Sequence, residues 1–166
     1  MNNKTIMDFD IEKYSKEYLS DICEIWNEAI EEGLALPWTE RFSEGKAEYI
    51  IGTQTECFCA LKKHQCVGFY ILHPNGSGRC NHIANALYIV KKKYRRQGVG
   101  TALVNHSLKI AREHSFMAMQ YNSVVASNNS VHIYLNLGFE TAGTIPNGFR
   151  LNENQYDDLL ILYKIL

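Results

Sequence analysis

No run of apolar residues in this chain approaches the ~20 needed to cross a bilayer. The opening residues, Met1-Asn2-Asn3-Lys4, lead into mixed polar and apolar sequence, so no signal-peptide core is expected. Charge of one sign is also lacking. The 17 Lys and Arg stand against 18 Asp and Glu, a formal net charge of −1, so no global basic field marks a nucleic-acid binder. Any basic patch must be local. The cysteines Cys23, Cys57, Cys59, Cys66 and Cys80 are odd in number and unpatterned, which suits reduced thiols in a cytoplasmic protein better than a disulfide framework. Cys57 and Cys59 share one face of a strand and read as small core residues rather than a metal clip. His64, His73, His106, His114 and His132 show no metal-ligand spacing. Repeats, low-complexity tracts and linkers are missing too. Residues 1–166, with 46% hydrophobic and 21% charged residues, are therefore expected to form a single globular domain.

The apolar pattern supplies the elements. Tyr18, Ile22, Ile25, Trp26 and Ala29 recur at helical spacing and Gly33 can stop that helix. Leu34 to Phe42, with Pro37 and Trp38, reads as a loop, and a short helix follows over Ser43 to Ile51. Cys57–Leu61 and Cys66–Leu72, separated by Lys62-Lys63-His64-Gln65, form a hairpin pattern. After the break at Pro74-Asn75-Gly76-Ser77-Gly78, His82 to Val90 is almost wholly apolar and predicts a central strand covered on both faces. Val99, Ala102, Leu103, His106 and Ile110 then mark a helix to about His114. Met117 to Val125 predicts another buried strand, interrupted by Gln120, Asn122 and Ser123. Asn128 or Asn129 can cap a helix to Leu137, with Gly138 as terminator. Phe139–Ala142 and Leu159–Lys164 complete the strands. The order predicts an α/β sandwich around a mixed sheet, not the regular alternation of a doubly wound fold.

One stretch carries chemistry. In Leu87-Tyr88-Ile89-Val90-Lys91-Lys92-Lys93-Tyr94-Arg95-Arg96-Gln97-Gly98-Val99-Gly100-Thr101 a strand runs into a basic turn, and two glycines open a helix. First-turn N–H groups of a helix lack intrahelical acceptors and sit at the positive end of its dipole. Gly98 and Gly100 let a diphosphate approach the backbone, and Arg95 and Arg96 add charge with fixed donor geometry. A solvated basic loop is the plainer reading, and Lys91 to Lys93 fit it. The strand before and the apolar helix after favour a ligand site.

Arg95-Arg96-Gln97-Gly98-Val99-Gly100 resembles the R/Q-x-x-G-x-G/A coenzyme-A loop of the GCN5-related N-acetyltransferase (GNAT) family. Tyr134-Leu135-Asn136-Leu137-Gly138-Phe139 is similar to that family's L-Y-x-x-x-G-F. The resemblance implies a mixed, mostly antiparallel sheet flanked by helices, acetyl-CoA as cosubstrate and no metal. It implies cofactor contacts from Tyr88, Ile89, Val90, Arg95, Arg96, Gln97, Gly98, Val99, Gly100 and Thr101, with backbone N–H near Tyr88 to Val90 meeting the acyl oxygen. The family's Asn before the tyrosine falls at Ser127 by spacing, with Asn128 one residue nearer; Asn128 is the expected cofactor contact. Gly68-Phe69-Tyr70-Ile71-Leu72-His73-Pro74-Asn75, His82-Ile83-Ala84-Asn85, Gln120-Tyr121-Asn122-Ser123-Val124-Val125 and Gly143-Thr144-Ile145-Pro146 resemble a subgroup that includes acetyltransferases of azetidine-2-carboxylate and related proline analogues. That resemblance implies functional asparagines at Asn85, Asn122 and Asn128.

Tyr134 is the catalytic candidate. A phenol with a reference pKa of ~10 stays protonated at neutral pH and can donate to a departing thiolate. Its residue context alone favours a tyrosine packed on the sheet, and the resemblance at Gly138-Phe139 favours the catalytic role. Asn85 and Asn122, in strands expected to be buried, need partners; they are the candidate substrate-binding residues, and a structural hydrogen bond is the other reading. With no carboxylate in the fourth strand, deprotonation of the amine falls to water or to His82. Trp38 and Tyr121 are candidate walls of an acceptor pocket. The expected partner is a small-molecule amine, an amino acid or proline analogue leading. Nucleic acid and membrane are not expected, and a homodimer is left open. The competing readings are a non-catalytic acyl-CoA-binding module and an acetyltransferase of a protein or peptide amine.

Overall fold

The helical period near Tyr18 becomes α1, Leu19–Glu32, in a computed structural model that describes residues 8–166. Its apolar stripe is fully sunk: Ile22, Ile25 and Trp26 are inaccessible, each such side chain contributing roughly 1.5–3 kcal/mol of burial. Gly33, at φ 64°, ends the helix in the left-handed region. The loop to Phe42 is sewn onto α1 by buried Asn27, which donates to the Phe42 carbonyl at 2.9 Å and accepts its N–H at 2.7 Å. Ser43 caps α2, Glu44–Gly52, by accepting the Lys46 N–H.

A seven-stranded sheet follows. Its strands are β1 Asp10–Lys13, β2 Glu56–Lys62, β3 Gln65–Pro74, β4 Ile83–Val90, β5 Ala118–Val125, β6 Glu140–Asn152 and β7 Gln155–Ile165, in the order β1-β2-β3-β4-β5-β7-β6. All neighbours are antiparallel except β4 and β5, which are parallel. The helices α3, Val99–Glu113, and α4, Ser130–Asn136, complete the chain. Residues of α1 and α2 share one core with Cys57, Cys59, Cys66 and Phe69, on one face of the sheet. The second core joins α3 and α4 residues to Val67, Tyr70, Met119 and Leu162 on the other face. This is the α/β architecture expected. Cys57, Cys59 and Cys66 lie in the first core as free thiols, and the Cys59 contact together with burial pushes the Cys66 thiol up.

Three expectations change. β1 was absent from the pattern because Asp10-Ile11-Glu12-Lys13 offers one apolar residue to an edge position. The last strands are far longer than Phe139–Ala142 and Leu159–Lys164. Pro146, Asn147 and Gly148 look like a stop, yet β6 only shifts register there and pairs again at Phe149↔Asp157. β4 is central but not sealed on both faces: only Ala84 and Ile89 are buried. Its parallel ladder to β5 consists of Ile83↔Ala118 and Ala84↔Met119, after which the two strands part. That gap is the main feature of the sheet.

Candidate active site

Strand parity dictates what β4 offers to the gap. The Lys91 N–H bonds the Val67 carbonyl, and the antiparallel register to β3 pairs Phe69 with Ile89. The alternate residues Ala86, Tyr88 and Val90 therefore aim their peptide groups away from β3, toward the side β5 has left. Of Tyr88, Ile89 and Val90, Ile89 turns its amide to β3; Tyr88 and Val90 present theirs to the gap.

Beyond β4 a single-turn helix, Lys92–Tyr94, leads to Arg96 at φ 60° and Gly98 at φ 85°. These two left-handed residues wind the chain so that the backbone N–H groups from Arg96 to Thr101 have no acceptor among the described residues. A Cβ on Gly98, in the middle of this run, would meet nothing within 4 Å, so the surface at that point is open. Gly100 differs: its Cβ would lie 3.4 Å from Ile133 of α4, and its smallness lets α3 and α4 pack closely. Val99 is buried, while Thr101 and Gln97 are exposed. Gln97 donates to the Lys93 carbonyl.

The basic run divides. Glu24, Glu28 and Glu32, spaced one turn apart on α1, meet it from below. Lys91 pairs with Glu24 at 2.8 Å, the Lys92 N–H with Glu28 and the Lys92 side chain with Glu32. Arg95 does not point at the arc of free N–H groups; its guanidinium bonds Glu32 at 2.8 Å and the Val90 carbonyl at 2.9 Å, tying the end of β4 to α1. Arg96 is exposed and has no acidic partner among the described residues.

Tyrosines fill the α3 side of the gap. Ser107 donates to the Val104 carbonyl, so its oxygen is left to accept from Tyr88, whose own oxygen lies 2.8 Å from that of Tyr121. Tyr134, on α4, sits 4.7 Å from the Tyr121 ring and 6.2 Å from the Tyr88 ring. Burial pushes its phenol up to about 12. Burial likewise raises Tyr70, Tyr88 and Tyr121. Raised folded-state pKa values mean stability that is complete below the unfolded value of ~10 and is lost as pH climbs through about 12. Tyrosinate absorbance should therefore show the buried tyrosines ionising only with unfolding, well above pH ~10. A single phase near that pH with the fold intact would contradict this burial.

Asparagines gather on the opposite face. Tyr121 and Met119 belong to the α3-side core, so their neighbours Gln120 and Asn122 fall on the α1 side. The sequence reading put Asn85 and Asn122 in buried strands. Asn85 is instead half-buried and Asn122 exposed, because β5 bulges between Tyr121 and Val124. The two are nonetheless brought together: Asn75 Oδ1 accepts from Asn85 Nδ2 at 3.1 Å and from Asn122 Nδ2 at 2.6 Å. Gln120 Nε2 donates to Asn122 Oδ1. Sequence reasoning assigned Asn75 and Gln120 no role, although both stand in the quoted segments. His82 is exposed, just before β4.

The residue directly before α4 is Asn129, whose side chain makes no capping bond; the acceptors for the first turn come from Asn128. Asn128 accepts the Ser130 N–H on its side chain and the Val131 N–H on its carbonyl, whereas the Ser127 N–H bonds Asp157. The two pocket-wall candidates lie on opposite faces of the sheet. Trp38 packs edge-on to Trp26 and Phe42 in the α1 core, and Tyr121 is buried against Phe139 on the α3 side.

Comparison with known proteins places the chain in a family. A family model for the acetyltransferase (GNAT) family matches residues 19–139. The chain belongs to the GNAT family. It is also similar to N-acetyltransferase aca1 of Schizosaccharomyces pombe, at 33% identity over 94 residues; that match spans 56% of this chain but less than half, 45%, of that protein. Among solved structures, a GCN5-related N-acetyltransferase from Kribbella flavida superposes with a TM-score of 0.90 at 24% identity, covering 96% of this chain and 98% of that one. The phosphinothricin acetyltransferase of Sinorhizobium meliloti, solved with acetyl-CoA, superposes with a TM-score of 0.89 at 19% identity over 96% and 89% of the chains. Enzymes of this GNAT family use acetyl-CoA as cosubstrate. The donor set here fits it: an arc of unpaired N–H groups suits a diphosphate, and the β4 amides suit an amide-bearing arm. Among the described residues no helix is long and apolar enough to cross a membrane.

Proposed function

We propose that this GNAT chain transfers acetyl from acetyl-CoA to the amine of a small acceptor, an amino acid or proline analogue. The observation that carries the reading is the gap between β4 and β5, with free N–H groups at one end and a three-asparagine cluster on the face away from α3. Acetyl-CoA supplies an activated thioester. The N–H groups of Arg96 to Thr101 hold its diphosphate, with Arg96 as the added cation and Arg95 as a tie that keeps the loop on β4. The amides of Tyr88 and Val90 meet the arm and the acyl oxygen, and Asn128 stands at the head of α4 beside it. Tyr134, kept protonated by burial, delivers a proton to the departing thiolate. Asn85 and Asn122 orient the acceptor. The amine loses its proton to water or through His82, which is exposed at the start of β4.

Neutral amides suit a compact acceptor bearing both a carboxylate and an amine, whereas a polyamine calls for an acidic cleft. Similarity to the azetidine-2-carboxylate subgroup supports a cyclic secondary amine. Comparing kcat/KM for azetidine-2-carboxylate, proline analogues, primary amino acids, spermidine and a peptide amine tests the proposal. Preference for spermidine or the peptide overturns the acceptor class. CoA binding without turnover of any amine makes the chain an acyl-CoA-binding module. Asn85→Ala should raise the amino-acid KM roughly tenfold with the acetyl-CoA KM unchanged. An unmoved acceptor KM places recognition elsewhere.

A further inference from the structure

We infer that Asn75 is a positioning residue that sets the polarity of the acceptor-binding amides and turns the carbonyl oxygen of Asn85 toward the incoming amine. The inference rests on the acetyl-transfer reading above and extends it to a residue outside the two assigned asparagines. A carboxamide can face a ligand with its oxygen or its nitrogen, and nothing in Asn85 itself selects between them. Asn75 does. Its Oδ1 accepts from Asn85 Nδ2 and Asn122 Nδ2, at 3.1 and 2.6 Å, and an oxygen in that place holds both nitrogens inward. Asn122 Oδ1 is in turn taken by Gln120 Nε2. Asn85 Oδ1 is left with no partner among the described residues, on a half-buried side chain beside the gap. It is an acceptor and so selects an N–H donor, the amine to be acylated.

The backbone holds Asn75 as firmly as a strand residue. Its N–H bonds the Ile83 carbonyl at 2.7 Å, continuing the β3–β4 ladder. The turn behind it is tight, since a Cβ on Gly76 would fall 2.9 Å from the Cys80 Cβ. The main chain thus fixes where the Asn75 side chain starts, and its Oδ1 serves both nitrogens as a hub.

Asn75→Leu and Asn75→Asp separate the possibilities. Leucine keeps the size and removes the oxygen, whereas aspartate keeps an oxygen for both nitrogens. The Leu variant should raise the KM for an amino-acid acceptor about tenfold, with the acetyl-CoA KM and Tm near parent values. The Asp variant should stay within about threefold of the parent. A parent-like acceptor KM in the Leu variant overturns the inference. So does an Asp variant worse than Leu, the result expected if Asn75 served a substrate carboxylate through its own Nδ2. The side-chain amide NMR signals of Asn85 and Asn122 give a readout free of turnover. They should shift and exchange faster with solvent in the Leu variant and not in the Asp variant; unmoved signals in the Leu variant overturn the hub. If these signals behave as expected while the parent acetylates no acceptor, the acetyl-transfer reading fails and the hub stands.

Discussion

Tyr134→Phe is expected to lower kcat by ~10²-fold or more while leaving the KM for acetyl-CoA close to its parent value. The side chain is 8% exposed, and its ring is held by Tyr121 and Phe139 at 4.7 and 5.9 Å. Phenylalanine keeps those ring contacts, so folding should be little affected and the loss should belong to the hydroxyl. Burial holds that hydroxyl protonated up to about pH 12, so the donor is present throughout the neutral range. A proton delivered to a departing thiolate acts in the transition state and not in the bound ground state, hence the weight on kcat. Steady-state kinetics with acetyl-CoA and acceptor varied separately decide it. Unchanged turnover would make Tyr134 a packing residue.

Gly98→Val should weaken CoA binding by at least ~10-fold, and Gly100→Ala much less. The two glycines open the same helix for different reasons. Gly98 has φ 85°, where any side chain is strained by roughly 1 kcal/mol or more, and its Cβ would enter open space within the run of unpaired N–H groups. Some loss of Tm is therefore expected alongside the loss of affinity. At Gly100 a Cβ meets the flexible end of Ile133 at 3.4 Å, away from that space. Calorimetric titration of CoA into the folded variants measures both. Parent-like affinity in Gly98→Val would put the diphosphate elsewhere.

The parts legible in the sequence are those written into local pattern. Gly33, Ser43 and Gly98 mark helix ends through backbone preference or side-chain capping. The period of α1 holds in its buried Ile22, Ile25, Trp26 and Ala29, while in α3 Val99, Leu103 and Ile110 are buried and Ala102 and His106 are only partly so. The parts that were not legible depend on register. Nothing local in Arg95 says that it will reach Glu32, 63 residues away, although the spacing of Glu24, Glu28 and Glu32 hints at a basic partner. Asn75 becomes a hub only because the β3–β4 ladder carries it to Asn85 and the β5 bulge turns Asn122 toward it. Asn85 and Asn122 were picked out by resemblance, and the burial reasoning offered for them did not hold. β4 looked sealed because its residues are apolar, yet β5 leaves after Ala84, and a ligand gap is lined by such residues as readily as a core is.

The most direct measurement is CoA release by the unmodified protein on adding acetyl-CoA with small amino-acid acceptors, followed by mass analysis of the acceptor. The account predicts release that depends on both components, with one acetyl group found on the acceptor nitrogen and azetidine-2-carboxylate or a proline analogue among the better acceptors. Release at the same slow rate with and without every acceptor, from a protein that still binds CoA, would contradict it.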